Sequence, residues 1–311
     1  MSKNIKLKRG FDINIVGKPE KKITDIPQPE TFAIKPTDFP HVAFPKLLVK
    51  EGDNVKMGSP VFFEKTMEDV MFCSPVSGEI VEIKRGAKRK LLEIKILADK
   101  EIESETFTKF SSSDINNLSR ADVVSHMAKH GVWPQIIQRP YGIVADPATT
   151  PKAIFVSAFD THPHAPDVQF ILQDKVAHFQ TGLSILRKLT EGTVHLGLDA
   201  NAEVSPLFAN LDGVQVNKFS GPHPAGNVGV QIHHTDPINK GDLVWTASPY
   251  GVAQIGKLFS EGVFDSSKIV AVTGSEVKEP AYVRMYSGAC LNKVVEGMVN
   301  AGNNRTISGN V

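Results

Sequence analysis

The sequence predicts a multidomain chain of class α/β plus β. Three observations predict it. Residues 31–100 run as short apolar stretches separated by turn residues, the pattern of an all-β unit. Residues 151–265 alternate short apolar runs with amphipathic helical periods, as a parallel sheet covered by helices requires. Residues 266–311 give two strand-like runs followed by a helical one. At 311 residues the chain has room for two or three domains, each with its own core.

Residues 1–30 read as an extended N-terminal arm. Pro19, Pro27 and Pro29 oppose regular pairing there and favour an extended path across a neighbour. Within residues 31–100, Val49 to Gly86 carries Glu51-Gly52-Asp53, Gly58, Glu64 and the turn Pro75-Val76-Ser77-Gly78. That order resembles the swinging-arm carrier domains, biotinyl/lipoyl-type barrel-sandwiches. The modifiable lysine of those domains falls in register on Met67, whose thioether cannot form the attaching amide. Lys65 stands two residues away, which keeps it on the same strand face and is expected to move it off the hairpin tip. The unit is therefore expected to be a scaffold or docking module without the modified lysine. Lys84 to Lys90 places five cations about Gly86, either as a solvated hairpin tip or as a contact for an acidic partner or anionic headgroups.

Residues 101–150 read as a linker and a short helix. Ser111-Ser112-Ser113 lies in the polar linker. Ser119 opens the helix with Asp122 as a capping-box partner, and Gly131 ends it. In residues 151–265, strands are predicted at Ala153–Ala158, Thr193–Leu198, Val214–Lys218 and Leu243–Ala247. Helices are predicted at Asp174–Glu191, near Pro206–Leu211, and at Tyr250–Glu261. Alternation with this spacing predicts a Rossmann-like domain. In residues 266–311, strands at Lys268–Thr273 and Ala281–Met285 precede a helix at Gly288–Val299, which is how a β-grasp (SLBB-like) unit starts. The unit looks incomplete, so the chain is expected to be an N-terminal fragment of a longer protein.

The formal charge of +1 gives no global field that favours nucleic acid. No run of about 18 apolar residues is present, so no membrane span is expected. The N-terminus lacks the apolar core of a secretion signal. Cys73 and Cys290 cannot by themselves hold an iron–sulfur cluster or zinc. No G-x-G-x-x-G follows a strand, and neither a Walker motif nor a G-x-S-x-G elbow occurs.

Two groups hold residue types that chemistry uses, each with a structural reading beside it. Asp160-Thr161-His162-Pro163-His164 follows the first α/β strand, where open parallel sheets bind ligands. It is either a proton-handling or metal-binding loop or a rigid proline-rich connection. Gly221 to Gly229 reads as a shaped loop with no helix beneath it, and His233-His234 as strand residues on opposite faces.

Several motifs together resemble one family. They are Lys8-Arg9-Gly10-Phe11-Asp12-Ile13 with Gly17, the EGD…SPVSG unit, Gly131-Val132-Trp133-Pro134, Phe159-Asp160-Thr161-His162-Pro163, the HPAGNVGVQIHH run from His223, and the terminal ISGNV. The chain resembles the NqrA family, the A-subunits of the bacterial Na+-translocating NADH:quinone oxidoreductases. Components of complex I and of the Rnf complex are similar in turn. Against those, the glycine-rich nucleotide loop is reduced to Gly131-Val132-Trp133-Pro134, and the flavin-contacting segment reads Ser157-Ala158-Phe159-Asp160. The resemblance therefore implies no flavin, iron–sulfur or other cofactor bound by this chain. NADH, flavins and the iron–sulfur centre would reside in partner subunits. It implies a peripheral subunit on the cytoplasmic face of the bacterial inner membrane, inactive alone and assembled with the integral membrane subunits. It also implies quinone as substrate, with His162, His164 and Tyr141 as candidate contacts. The alternative is a purely structural assembly and docking subunit of the same complex.

Overall fold

A computed structural model describes residues 2–203, 205–209 and 211–310. Met1 and Val311, the outer limits of the expected arm and β-grasp unit, lie outside the described residues, as do Val204 and Asn210 of the expected Rossmann-like domain.

The arm contributes two short strands, β1 (Asn4–Lys6) and β2 (Ile23–Thr24), each paired with a distant part of the chain. The all-β unit follows as two packed sheets. One has β3 (Thr31–Ile34), β5 (Asn54–Val55), β8 (Gly78–Arg85) and β9 (Leu91–Ala98) in the order β3-β9-β8-β5. The other has β4 (Pro45–Leu47), β6 (Pro60–Glu64) and β7 (Met67–Cys73) in the order β4-β6-β7. Phe62 and Phe72 stack between the sheets at 4.6 Å, with Phe39 edge-on. Val61, Val70, Val76, Ile80, Ile94 and Ile96 complete the buried face. The cations of Lys84 to Lys90 surround the β8–β9 turn, mostly in solvent.

The lysine expectation needs correction. The β6–β7 ladder jumps from Phe63–Met71 to Glu64–Met67, so a bulge in β7 draws the turn toward the N-terminus. Lys65 and Thr66 therefore form the exposed hairpin tip, and Met67 is the half-buried first residue of β7.

The serine run expected as linker caps a helix instead. Ser111 and Asp114 form a capping box on α1 (Ser112–Asn117). Ser119 and Asp122 repeat the device on α2 (Arg120–Lys129), as expected.

The third layer is a seven-stranded sheet. Its strands are β10 (Ile137–Arg139), β11 (Ile143–Val144), β12 (Ala153–Ser157), β13 (Thr193–Asp199), β14 (Val214–Ser220) and β15 (Val244–Ala247), plus β1 from the arm. The order is β1-β14-β13-β12-β15-β10-β11. From β12 the chain moves outward through β13 to β14, then crosses back to place β15 on the other side of β12, all parallel. The winding thus reverses between β12 and β15, which is a topological switch point.

Helices cover both faces. α3 (Val168–Ile171), α4 (Val176–Lys188) and α6 (Pro249–Glu261) follow their strands as the alternation requires. Phe179, Leu183 and Leu186 of α4 and Ile255, Leu258 and Phe259 of α6 share a core with Ile154, Val156 and Trp245. The alternate residues Ala153, Phe155 and Val244 face Ile232 of α5 (Val228–Thr235) instead. α5 corrects two expectations. His233 and His234 lie on a helix, and the Gly221–Gly229 run leads directly into that helix. Between α4 and β14 the expected helix near Pro206 is a single 3-10 turn, Pro206–Phe208.

The last unit pairs β16 (Ser267–Val272) with β17 (Ala281–Tyr286) antiparallel, and β2 of the arm pairs with β17 on its other side. The expected helix Gly288–Val299 shrinks to α7 (Leu291–Val294). Gly297 takes φ +77° and Val299 bridges to Val277, so the segment returns to extended pairing.

Candidate functional site

Three loops meet at the carboxyl edge of the parallel sheet. β12 feeds Ala158–Asp167, β14 feeds Gly221–Asn227, and the arm lays Arg9–Asp12 across the second. Ser157 Oγ lies 2.9 Å from Phe159 O and 3.0 Å from Gly226 O, donor distance for either. The Gly226 N–H donates to Thr161 Oγ1 at 3.0 Å, and Thr161 Oγ1 lies 3.0 Å from His223 Nδ1. A Cβ at position 226 would sit 2.6 Å from Phe159 O, so only glycine permits this approach. The arm adds Phe11 N–H to His223 O at 3.0 Å and His223 N–H to Asp12 Oδ1 at 2.9 Å.

His162 is half-buried. Its Nδ1 lies 2.6 Å from Asp160 Oδ1, and its backbone N–H donates to the same oxygen. Its ring tilts against His223 at 4.7 Å. The two imidazoles come together because both loops leave parallel strands at the same sheet edge. That was the signal for His223, which the local pattern marked only as part of a shaped loop.

His164 is the unusual member. Its backbone takes φ +56°, a left-handed conformation that costs a residue bearing a Cβ about 1–3 kcal/mol. Both its ring nitrogens are buried without a hydrogen-bond partner. A buried polar group left in this state costs about 1–3 kcal/mol more.

Tyr141 is not part of this constellation. It is 71% exposed on the turn between β10 and β11. β10 runs antiparallel to β15, with Arg139 opposite Val244, so this turn lies at the amino edge of the parallel strands. An open concavity of about 470 Å³ also lies at that amino edge, lined by Thr150, Lys152, Glu191 and Asp242 among others. Lys152 ties it together through Asp236 at 2.7 Å and Asp242 at 3.1 Å.

The segment Gly131–Pro134 is filled. Trp133 is fully buried, donates Nε1–H to Ala145 O at 2.7 Å and meets Trp245 edge-on at 5.5 Å. Gly131 backs onto Cys73 of the all-β unit, where an added Cβ would lie 2.7 Å from Sγ. Beyond the switch point, Asp265 Oδ2 takes Lys175 at 2.8 Å and Lys257 at 2.9 Å. Burial alone would raise the Asp265 carboxyl, but the two lysines and the Ser267 contact hold it well below the usual carboxylate range. Among the described residues, no group of three or more His, Cys, Asp or Glu side chains is placed to hold a metal ion.

Comparison with known proteins decides the family. Residues 5–99 match the NqrA N-terminal barrel-sandwich hybrid domain, residues 118–264 the NqrA second alpha/beta domain, and residues 269–311 the NQRA C-terminal domain. Over 308 residues the chain is 37% identical to the A-subunit of the Na(+)-translocating NADH-quinone reductase of Alcanivorax borkumensis, covering 99% of this chain and 68% of that one. The chain belongs to the NqrA family. Similar proteins of the same name occur in Marinomonas sp. (38% over 306 residues, 98% of this chain and 67% of the relative) and Pasteurella multocida (38% over 310 residues, 99% and 68%). The chain thus spans about two thirds of the length of these relatives. The order of NqrA domains agrees with the expected fold class, a barrel-sandwich, an α/β domain and an SLBB-type unit.

Proposed function

We propose that this chain is a peripheral subunit of an Na+-pumping NADH:quinone oxidoreductase and helps to bind quinone at the carboxyl edge of its α/β sheet. The orphaned, strained imidazole of His164 carries this reading. A quinone ring presents two carbonyl oxygens, and each accepts a hydrogen bond in an otherwise apolar slot. His164 has an N–H with no protein acceptor. His162 gives its Nδ1–H to Asp160, so its Nε2 donates to the second carbonyl when the ring is protonated. Reduction of a quinone to a quinol takes two electrons and two protons. In this reading the electrons come from flavins and an iron–sulfur centre in partner subunits, and the imidazoles hold or deliver protons at the carbonyl oxygens. NADH is oxidised elsewhere in the complex, and the isolated chain turns nothing over. Tyr141, at the opposite sheet edge, stands outside this site.

The reading places the chain on the cytoplasmic face of the bacterial inner membrane, against integral membrane subunits. No helix among the described residues is long and apolar enough to cross a membrane, which supports a peripheral position. The dense filling around Trp133 favours a second reading, an assembly and docking subunit of the same complex.

Calorimetric titration with a short-tailed ubiquinone separates the two. Saturable binding that weakens about tenfold in His164→Ala, as loss of one buried hydrogen bond predicts, supports the quinone site. Equal affinity of His164→Ala and the parent chain removes His164 from it. No saturable binding by the parent chain leaves the docking reading.

A further inference from the structure

The arm displays apolar side chains where a folded chain would hide them. Phe11 is 86% exposed, Ile13 65% and Val16 70%. This segment is not loose, because it is fastened at both ends. At one end the Phe11 N–H bonds His223 O, and Gly10 at φ +150° lies so close that a Cβ would sit 2.0 Å from that oxygen. At the other end the Gly274 N–H donates to Gly17 O at 3.2 Å. Gly17 takes φ +92°, and a Cβ there would lie 2.2 Å from Gly274 O. The loop between is a rigid bridge from the α/β domain to the last unit, with its apolar side chains turned outward.

Charge gathers around it. Residues 6–22 hold the exposed cations Lys6, Lys8, Arg9, Lys18, Lys21 and Lys22 against the acids Asp12 and Glu20. The whole chain is only +1, so the remainder is net acidic. Lys21 is engaged by Asp167 at 2.6 Å. The other five cations make no ion pair among the described residues.

We infer that the Phe11–Val16 loop inserts into the headgroup layer of an anionic phospholipid bilayer, with the flanking cations on the lipid phosphates. The composition selects lipid over protein. Lysine, depleted at protein interfaces, supplies all but one of these cations, and a compact ammonium suits a layer of mobile phosphates. Three side chains on one loop are too few for a standard protein interface of about 800 Å² per partner. They suit shallow burial at the boundary of headgroups and acyl chains. The loop shares only its His223 anchor with the proposed quinone site, and vesicle binding needs neither His162 nor His164.

Sedimentation of the full chain with phosphatidylcholine vesicles, with and without phosphatidylglycerol, tests it. Expected is binding to the phosphatidylglycerol vesicles that weakens as salt rises. Lys8→Gln and Arg9→Gln each weaken it about fivefold, the equivalent of one headgroup cation. The triple variant Phe11→Ser, Ile13→Ser, Val16→Ser abolishes it with unchanged thermal melting, since these side chains stand in solvent. Equal binding to both vesicle types, no binding, or a triple variant that binds like the parent overturns the inference. So does a loop that ignores vesicles but is needed to retain a detergent-solubilised membrane protein.

Discussion

Asp265 takes two lysines at once, and this makes it expensive to replace. Lys175 and Asp265 are both nearly buried, and they come from positions 90 residues apart. Asp265→Asn leaves two cations facing a neutral amide, and is expected to cost about 3–5 kcal/mol in urea unfolding. Adding Lys175→Met should restore a large part of it. A loss below about 1 kcal/mol would mean that water already screens the pair. No local pattern marks Asp265, because the buried lysine paired with it, Lys175, lies 90 residues away in sequence. Histidines give a second handle. Burial lowers His195, stacked on Phe155 at 4.5 Å, to about 4. Burial and then His130 lower His126 to about 4 as well. Both are neutral when folded, whereas the unfolded chain protonates near 6.5. Their contribution to stability is therefore complete above about pH 6.5 and is lost as pH falls toward 4. The slope is about 1.4 kcal/mol per pH unit for each group. Thermal melting between about pH 7.5 and pH 5 checks this, and His195→Gln should remove about one proton of uptake on unfolding. An unaltered slope in that variant would assign the effect elsewhere.

Among elements, the crossing of α4 and α6 depends on two missing side chains. A Cβ at Gly182 would lie 1.9 Å from Val252 O, and one at Gly256 would lie 1.7 Å from His178 O. Gly256→Ala is expected to push the helices apart and destabilise by about 3 kcal/mol, although alanine is the better helix former. A more stable variant would show that the crossing can open without cost. The long helices and the parallel strands were legible because one apolar face repeats with their period. α5 was not, because Val228, Val230 and Ile232 alternate with small or polar residues and read as a strand. α7 was overextended because a helical apolar face at Leu291, Val294 and Met298 hides the left-handed Gly297. The Lys65 turn was displaced by a bulge, which leaves no mark in an apolar/polar pattern.

At the scale of the whole molecule, the arm ties two sheets together. β1 extends the edge of the seven-stranded sheet along β14, and β2 covers β17. Asp167 joins the same junction, donating its N–H to Tyr282 Oη at 3.1 Å while holding Lys21. Deleting residues 2–24 is expected to split one calorimetric transition into two and to open the last unit to proteolysis. A single transition at the parent temperature would mean that the units are coupled elsewhere. The arm's prolines announced an extended path, but not its destinations, since pairing partners more than 200 residues away leave no local trace. The candidate site was half legible for the same reason. His162 and His164 follow a strand that could be seen. Tyr141 was drawn in only because the antiparallel course of β10, which sends its turn to the far edge, could not.

The arm's pairing also sets an order of events during synthesis. Asn4 pairs with Lys218, and Ile23 with Tyr282. Ribosomes add about 5–20 residues per second. The first strand is therefore out of the exit tunnel for on the order of ten seconds or more before its partner is made. Throughout that interval Phe11, Ile13 and Val16 travel on an unpaired, cationic, apolar leader. A chaperone, or a nearby bilayer, would meet this segment before any of the sheet that later holds it exists.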